Sequence, residues 1–118
     1  MIQSYRDLIV WQKSMDLAEH VYRLLDALPK VEKFALADQI RRAAISIPSN
    51  IAEGYGRERD ASLKYFLEIA AGSRAELQRQ LLLCKRLGYF TREQTRQALL
   101  LTEEVGKMLH ALKGKLDS

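Results

Sequence analysis

The sequence predicts an all-α fold, an up-down-up-down antiparallel four-helix bundle. Three observations predict it. Apolar residues recur at spacings of three and four along nearly the whole chain, which is the helical period. Interruptions are few, two prolines and six glycines in 118 residues. The stretches between periodic segments are short, so consecutive helices are expected to pack against each other in opposite directions. No linker or low-complexity segment divides the chain, and residues 1–118 read as one domain.

The first helix is expected over about residues 7–28. Leu8, Trp11, Met15, Ala18, Tyr22 and Leu25 form one apolar line, and Val10, Leu17, Val21, Leu24 and Leu28 form a second beside it. The doubled stripe is wider than one helix contact needs, and Pro29 should stop the helix. The second helix is expected over 34–53, with Leu36, Ile40, Ala44, Ile47 and Ile51 as its core line and Gly54 as its C-terminal stop. The third, over 60–87, takes Asp60 as N-cap and carries Leu63, Phe66, Ala70, Ser73, Leu77, Leu81, Cys84 and Leu87. Gly88 should end it. Within it, Gly72 stands among Ala70, Ala71, Ser73 and Ala75, a small-residue run that suggests close approach of a neighbouring helix. The fourth, over 91–113, opens on Thr91 and Gln94 at capping-box spacing and continues through Ala98, Leu101, Val105, Met108 and Leu112.

On a helical wheel Gln39, Arg42, Ser46, Asn50 and Glu53 of the second helix fall in one narrow arc, a polar seam between apolar flanks. Two readings apply. In the structural one these groups bond to each other and to the third helix, where Glu68 and Glu76 are candidate partners for Arg42. In the functional one Ser46 and Asn50 line a pocket. Pro48 lies inside the same helix. It removes one hydrogen bond and crowds the carbonyl of Ala44, so a kink is expected, with Ile47 displaced from helical geometry. A Ser or Asn side chain could then serve the freed carbonyl.

The composition excludes several classes. Apolar residues make up 47 % and charged residues 29 %, a globular balance. Cys84 is the one cysteine, which rules out an internal disulfide and a cysteine-based zinc site. No apolar run approaches the ~20 residues of a membrane span. The start, MIQSYRDLIVWQ, lacks a signal-peptide pattern, so the expected compartment is the cytoplasm. An enzyme finds little support. His20 and His110 are the only histidines, no Glu-x-x-His pair accompanies the acids around His20, and EGYGR lacks the rest of a phosphate-binding loop. No catalytic residue, cofactor, metal or small-molecule substrate is expected.

QIRRAAISIPSNIAEGYGR (39–57), YFLEIAAGSRAELQRQLLLCKRLGY (65–89) and RDLIVWQKSMDLAEHVY (6–22) together resemble the 23S rRNA intervening-sequence protein family. The resemblance is strong from Tyr5 to about Tyr89 and looser in the fourth helix. It implies a four-helix bundle assembled as a ring-like homopentamer in bacteria, often encoded within inserts of the large ribosomal RNA gene. The family is also similar to the accessory variability determinant of diversity-generating retroelements, a basic pentameric barrel that binds a reverse transcriptase and nucleic acid. The resemblance brings no catalytic residues. The doubled stripe agrees with self-assembly, since excess apolar surface usually marks an interface.

Two functional readings follow. In the first, an oligomer binds structured RNA or other nucleic acid through Arg57, Arg59, Arg79, Lys85, Arg86, Arg92 and Arg96. A net charge of +4 per chain becomes +20 in a pentamer, a field able to attract a polyanion. Glu58, Asp60, Glu93 and Asp38 lie among these cations, as they would on an ordinary solvated face. In the second, the assembly is a scaffold for a protein partner, such as a reverse transcriptase or a ribosomal component, without touching nucleic acid.

Overall fold

The structure is a computed structural model that describes residues 4–117. The first three residues and the last of the predicted 1–118 domain lie outside the described residues. Those described form four α-helices, α1 (Ile9–Leu24), α2 (Leu36–Gly56), α3 (Asp60–Arg86) and α4 (Arg92–Asp117). Single 3-10 turns stand at Tyr5–Asp7, Leu25–Ala27 and Lys30–Glu32, and there is no strand among the described residues. The all-α class is as the periodicity predicts. The molecule measures 43 × 23 × 21 Å. Its long axis matches α3, whose 27 residues span ~40 Å at 1.5 Å each.

α2 packs most extensively on α3, α3 also on α4, and α1 lies against both α2 and α4. Leu17 and Val21 from α1, Ile40, Ile47 and Ile51 from α2, Leu67, Leu77 and Leu81 from α3, and Val105 and Leu109 from α4 are fully buried. Each such side chain contributes ~1.5–3 kcal/mol of apolar burial. Ser14, Thr95 and Thr102 are buried with them. Their hydroxyls donate to carbonyls one turn back, those of Trp11 (2.7 Å), of Thr91 and Arg92 (both 3.1 Å) and of Leu99 (2.7 Å) respectively.

The two apolar lines of α1 separate. Val10, Leu17, Val21 and Leu28 enter the core together with Leu8 and Leu25. Met15 and Tyr22 stay 44 % and 42 % exposed. Tyr5, Trp11, Met15 and Ala18 line an outer groove of about 370 Å³ with Ile45, Pro48, Ser49 and Ala52 of α2. Excess apolar surface therefore does remain on the outside of the α1/α2 pair.

Several expectations need correction. α2 begins at Leu36 rather than 34, and Phe34 is 90 % exposed. α2 runs unbroken through Ile47 and Pro48, both buried, so Ile47 keeps its helical place. Burying the proline ring in the α1/α2 contact offsets the ~3 kcal/mol that an interior proline costs. Gly54 does not stop the helix, which continues to Gly56; it is a point where α2 and α3 approach closely. A Cβ there would lie 3.0 Å from Leu63 Cδ1 and 3.1 Å from Phe66 Cβ. Gly72, expected at a tight contact, is exposed, with no heavy atom of its surroundings within 4 Å of an added Cβ. The crowded glycine on the other side of α3 is Gly106, whose added Cβ would meet Arg74 Cδ and Nε at 2.9 Å.

Asp60 is the first residue of α3 and not its cap; Arg59, in extended geometry, holds that position without a capping side chain. Leu87, expected in the core line of α3, is 51 % exposed.

Candidate nucleic-acid interface

The α3–α4 turn is built from two local signals. α3 ends on Gly88 at φ +81°, a conformation that glycine adopts without penalty. The N–H of Gly88 donates to Lys85 O (3.1 Å) and that of Tyr89 to Cys84 O (2.9 Å), the paired bonds of a Schellman ending. α4 opens three residues later with the expected capping box. Gln94 N donates to Thr91 Oγ1 (3.0 Å) and Thr91 N to Gln94 Oε1 (2.8 Å). A third bond, from Tyr89 Oη to Glu32 Oε2 at 2.8 Å, ties this turn to the α1–α2 connection. That bond is the main reason the Tyr89 hydroxyl titrates above its ordinary value, with desolvation and the Glu32 charge adding to it.

The turn sets four predicted cations close in space. Lys85 and Arg86 stand in the last turn of α3, where positive charge complements the helix dipole. Arg92 and Arg96 lie one turn apart at the start of α4. Lys85, Arg92 and Arg96 line one groove of about 200 Å³ with Leu99, Leu100 and Glu103. Arg92, Glu93 and Arg96 line a second depression beside it. Among the described residues Lys85, Arg86, Arg92 and Arg96 pair with no carboxylate.

The other three predicted cations lie elsewhere. Arg57 and Arg59 are at the α2–α3 turn, separated from this groove by the ~40 Å length of α3. Arg57 is occupied, with Nε 3.4 Å from Glu53 Oε2 and its guanidinium 5.4 Å from the centroid of the Phe66 ring. Arg79 is exposed on α3, seven residues (~10 Å) short of Arg86.

The polar seam of α2 divides. Ser46 and Asn50 are half-buried and bonded, with Asn50 Nδ2 donating to Ser46 O (2.8 Å) and Oγ (2.9 Å), and Ser73 Oγ of α3 donating to Ser46 Oγ (2.7 Å). Asn50 thus serves the Ser46 carbonyl. Gln39, Arg42 and Glu53 are exposed. Arg42 pairs with neither Glu68 nor Glu76, and Glu53 binds Arg57.

Among the described residues no group of three or more His, Cys, Asp or Glu is placed to hold a metal. Cys84 is fully buried, and its thiol is pushed up to about 11, first by desolvation and then by the Glu32 charge. No described helix is long and apolar enough to cross a membrane.

Sequence reasoning missed the α1–α2 connection. Val31 is 81 % and Phe34 90 % exposed there, flanked by the exposed Lys30 and Lys33. An aromatic between lysines in a segment without helical period was the available signal; placing Phe34 inside a helix hid it.

No curated protein matches the chain. Among solved structures it is similar to a protein of unknown function from the S23 ribosomal protein family of Bacteroides thetaiotaomicron. The two share 29 % identity with a TM-score of 0.83, over 89 % of this chain and 98 % of that one. The model of the 23S rRNA-intervening sequence protein family matches residues 6–111. With four helices and nearly its whole length matched, the chain belongs to the 23S rRNA-intervening sequence protein family.

Proposed function

We propose that this chain is a non-enzymatic, cytoplasmic bundle protein that assembles as a ring-like homopentamer and binds structured RNA through the basic surface at the α3–α4 turn. The single observation that carries the reading is the groove of Lys85, Arg92 and Arg96, with Arg86 beside it. Several cations converge there, and among the described residues none of them forms an ion pair with a carboxylate, although Glu103 lines the same groove. Like charges gathered without partners repel one another, so a bound polyanion would relieve them. Arg92 also sits at the positive end of the α4 dipole, where a cation is disfavoured by the fold itself.

An up-down-up-down course is supported by residue pairs. Gly54 meets Leu63 and Phe66 while Ser46 meets Ser73; Lys64 reaches Asp117 while Gly106 meets Arg74; Lys13 reaches Glu104 while Leu8 and Val10 share a groove with Met108 and Leu112. The outer groove around Trp11, Met15, Ile45 and Pro48 is the apolar surface that copies of the chain would cover.

Light scattering on the purified chain should give five times 13.6 kDa. Titration of a structured RNA at rising salt should give a log–log slope of about −0.7 to −0.9 per phosphate contact. No binding at low salt removes the RNA reading, and a monomer removes the ring.

The scaffold reading draws on Leu82, Leu83 and Leu100, each 45–52 % exposed, apolar surface that RNA has no need of. A protein partner retained in a pull-down after nuclease treatment would favour it.

A further inference from the structure

The Tyr89–Glu32 bond has a spatial consequence: it carries the α1–α2 connection to the end of the molecule that holds the basic groove. Phe34 lies two residues beyond Glu32, and its ring is 90 % exposed. A ring left in water by the fold contributes nothing to the core. Lys30 and Lys33 flank it on the same connection, and Lys85 and Arg86 lie four and three residues before Tyr89 on the other side of the bond. All four cations are exposed, and among the described residues none pairs with a carboxylate. Glu32, on the same connection, accepts a hydrogen bond from the Tyr89 hydroxyl.

Resting on the RNA reading above, we propose that this end face binds an unpaired stretch of RNA, with the Phe34 ring as a stacking platform for one base and Lys30, Lys33, Lys85 and Arg86 on the flanking phosphates. Aromatic faces among cations recognise single strands because every base has a stackable face once it is freed from a duplex. In A-form duplex the bases are stacked on each other and the protein meets phosphates and hydroxyls. The groove cations can serve either form; Phe34 can serve only the unpaired one.

The test compares a single-stranded oligoribonucleotide with a fully paired RNA duplex of equal length, for the parent chain and for Phe34→Ala, Phe34→Leu and Phe34→Trp. Phe34→Ala and Phe34→Leu should each weaken single-strand binding about five- to a hundredfold, the range for loss of one base–aromatic stack. Duplex affinity, melting temperature and oligomeric mass should stay at parent values, and Phe34→Trp should restore single-strand affinity. Equal single-strand affinity for parent and Phe34→Ala overturns the proposal and turns the ring over to a protein partner. A changed oligomeric mass in Phe34→Ala also overturns it, because the ring then belongs to a contact between copies. Failure of the parent chain to bind either RNA at low salt is a different result, which removes the RNA reading itself.

Discussion

The two ends of α3 carry similar cations and use them differently. At the α2–α3 turn, Arg59 forms no ion pair among the described residues, but Arg57 is paired with Glu53 and lies over the Phe66 ring, beside the place where Gly54 lets two helices close up. At the α3–α4 turn, Lys85, Arg86, Arg92 and Arg96 have no carboxylate partner among the described residues. One arginine is part of how the bundle is fastened, whereas the other group forms no ion pair among the described residues. A count of basic residues cannot make this distinction; the position of the nearest acid and the nearest ring does.

The contrast can be broken most forcefully at Gly54. Gly54→Leu forces a side chain into a gap bounded by Leu63 and Phe66, and should lower stability by about 3 kcal/mol in urea unfolding. Gly72→Ala, on the open side of the next helix, should raise it by ~1 kcal/mol. A loss at position 72 would mean that another copy of the chain packs there.

The cations themselves give the next effect. Replacing Lys85, Arg92 and Arg96 by alanine should reduce the salt slope of RNA binding by about three, one unit for each phosphate contact. Stability should stay near the parent value. Arg57→Ala should do the opposite, costing ~0.5–1 kcal/mol of stability through the lost ring contact and leaving the slope unchanged. If Arg57 and the groove cations alter RNA binding equally, the division between the two ends is wrong.

Asn50→Ala sharpens the same comparison from within α2. It removes the amide that bonds Ser46 and should cost ~1 kcal/mol in thermal or urea unfolding, with RNA affinity unchanged. The smallest effect is at Tyr89. Its hydroxyl titrates above 10.0 in the folded chain because Glu32 accepts its proton in a hydrogen bond. The stabilisation is therefore fully present below pH 10.0 and is lost as pH rises through the higher folded value. The melting-temperature difference between parent and Tyr89→Phe should be constant from neutral pH to 10.0 and shrink above it.

Local features of this fold were legible in the sequence and crossing points were not. The capping box at Thr91 and the stop at Gly88 depend on neighbours within a few residues, and both stand where the pattern put them. Gly54, expected to stop α2, holds instead the close approach expected of Gly72, which is exposed in mid-helix, because close approach depends on where two helix axes cross, which no run of small residues specifies. The doubled stripe of α1 announced more apolar surface than one bundle needs, but not which line would face outward. Pro48 was read for its local cost, whereas its burial against α1 decides its place. The candidate site was half legible. The cations could be named from sequence and are grouped by the local α3–α4 turn, but the approach of the connection that carries Lys30, Lys33 and Phe34 rests on Glu32 and Tyr89, 57 positions apart.

Cys84 directly precedes Lys85 of the basic groove and is wholly enclosed, with its thiol held protonated to about pH 11. An alkylating reagent near neutral pH finds neither thiolate nor access while that end is closed. As the chain has one cysteine, every labelling event marks a moment when this end of the bundle came apart. The protein thus carries an internal stopwatch for the breathing of its charged tip, and a polyanion clamped across that tip would slow the clock.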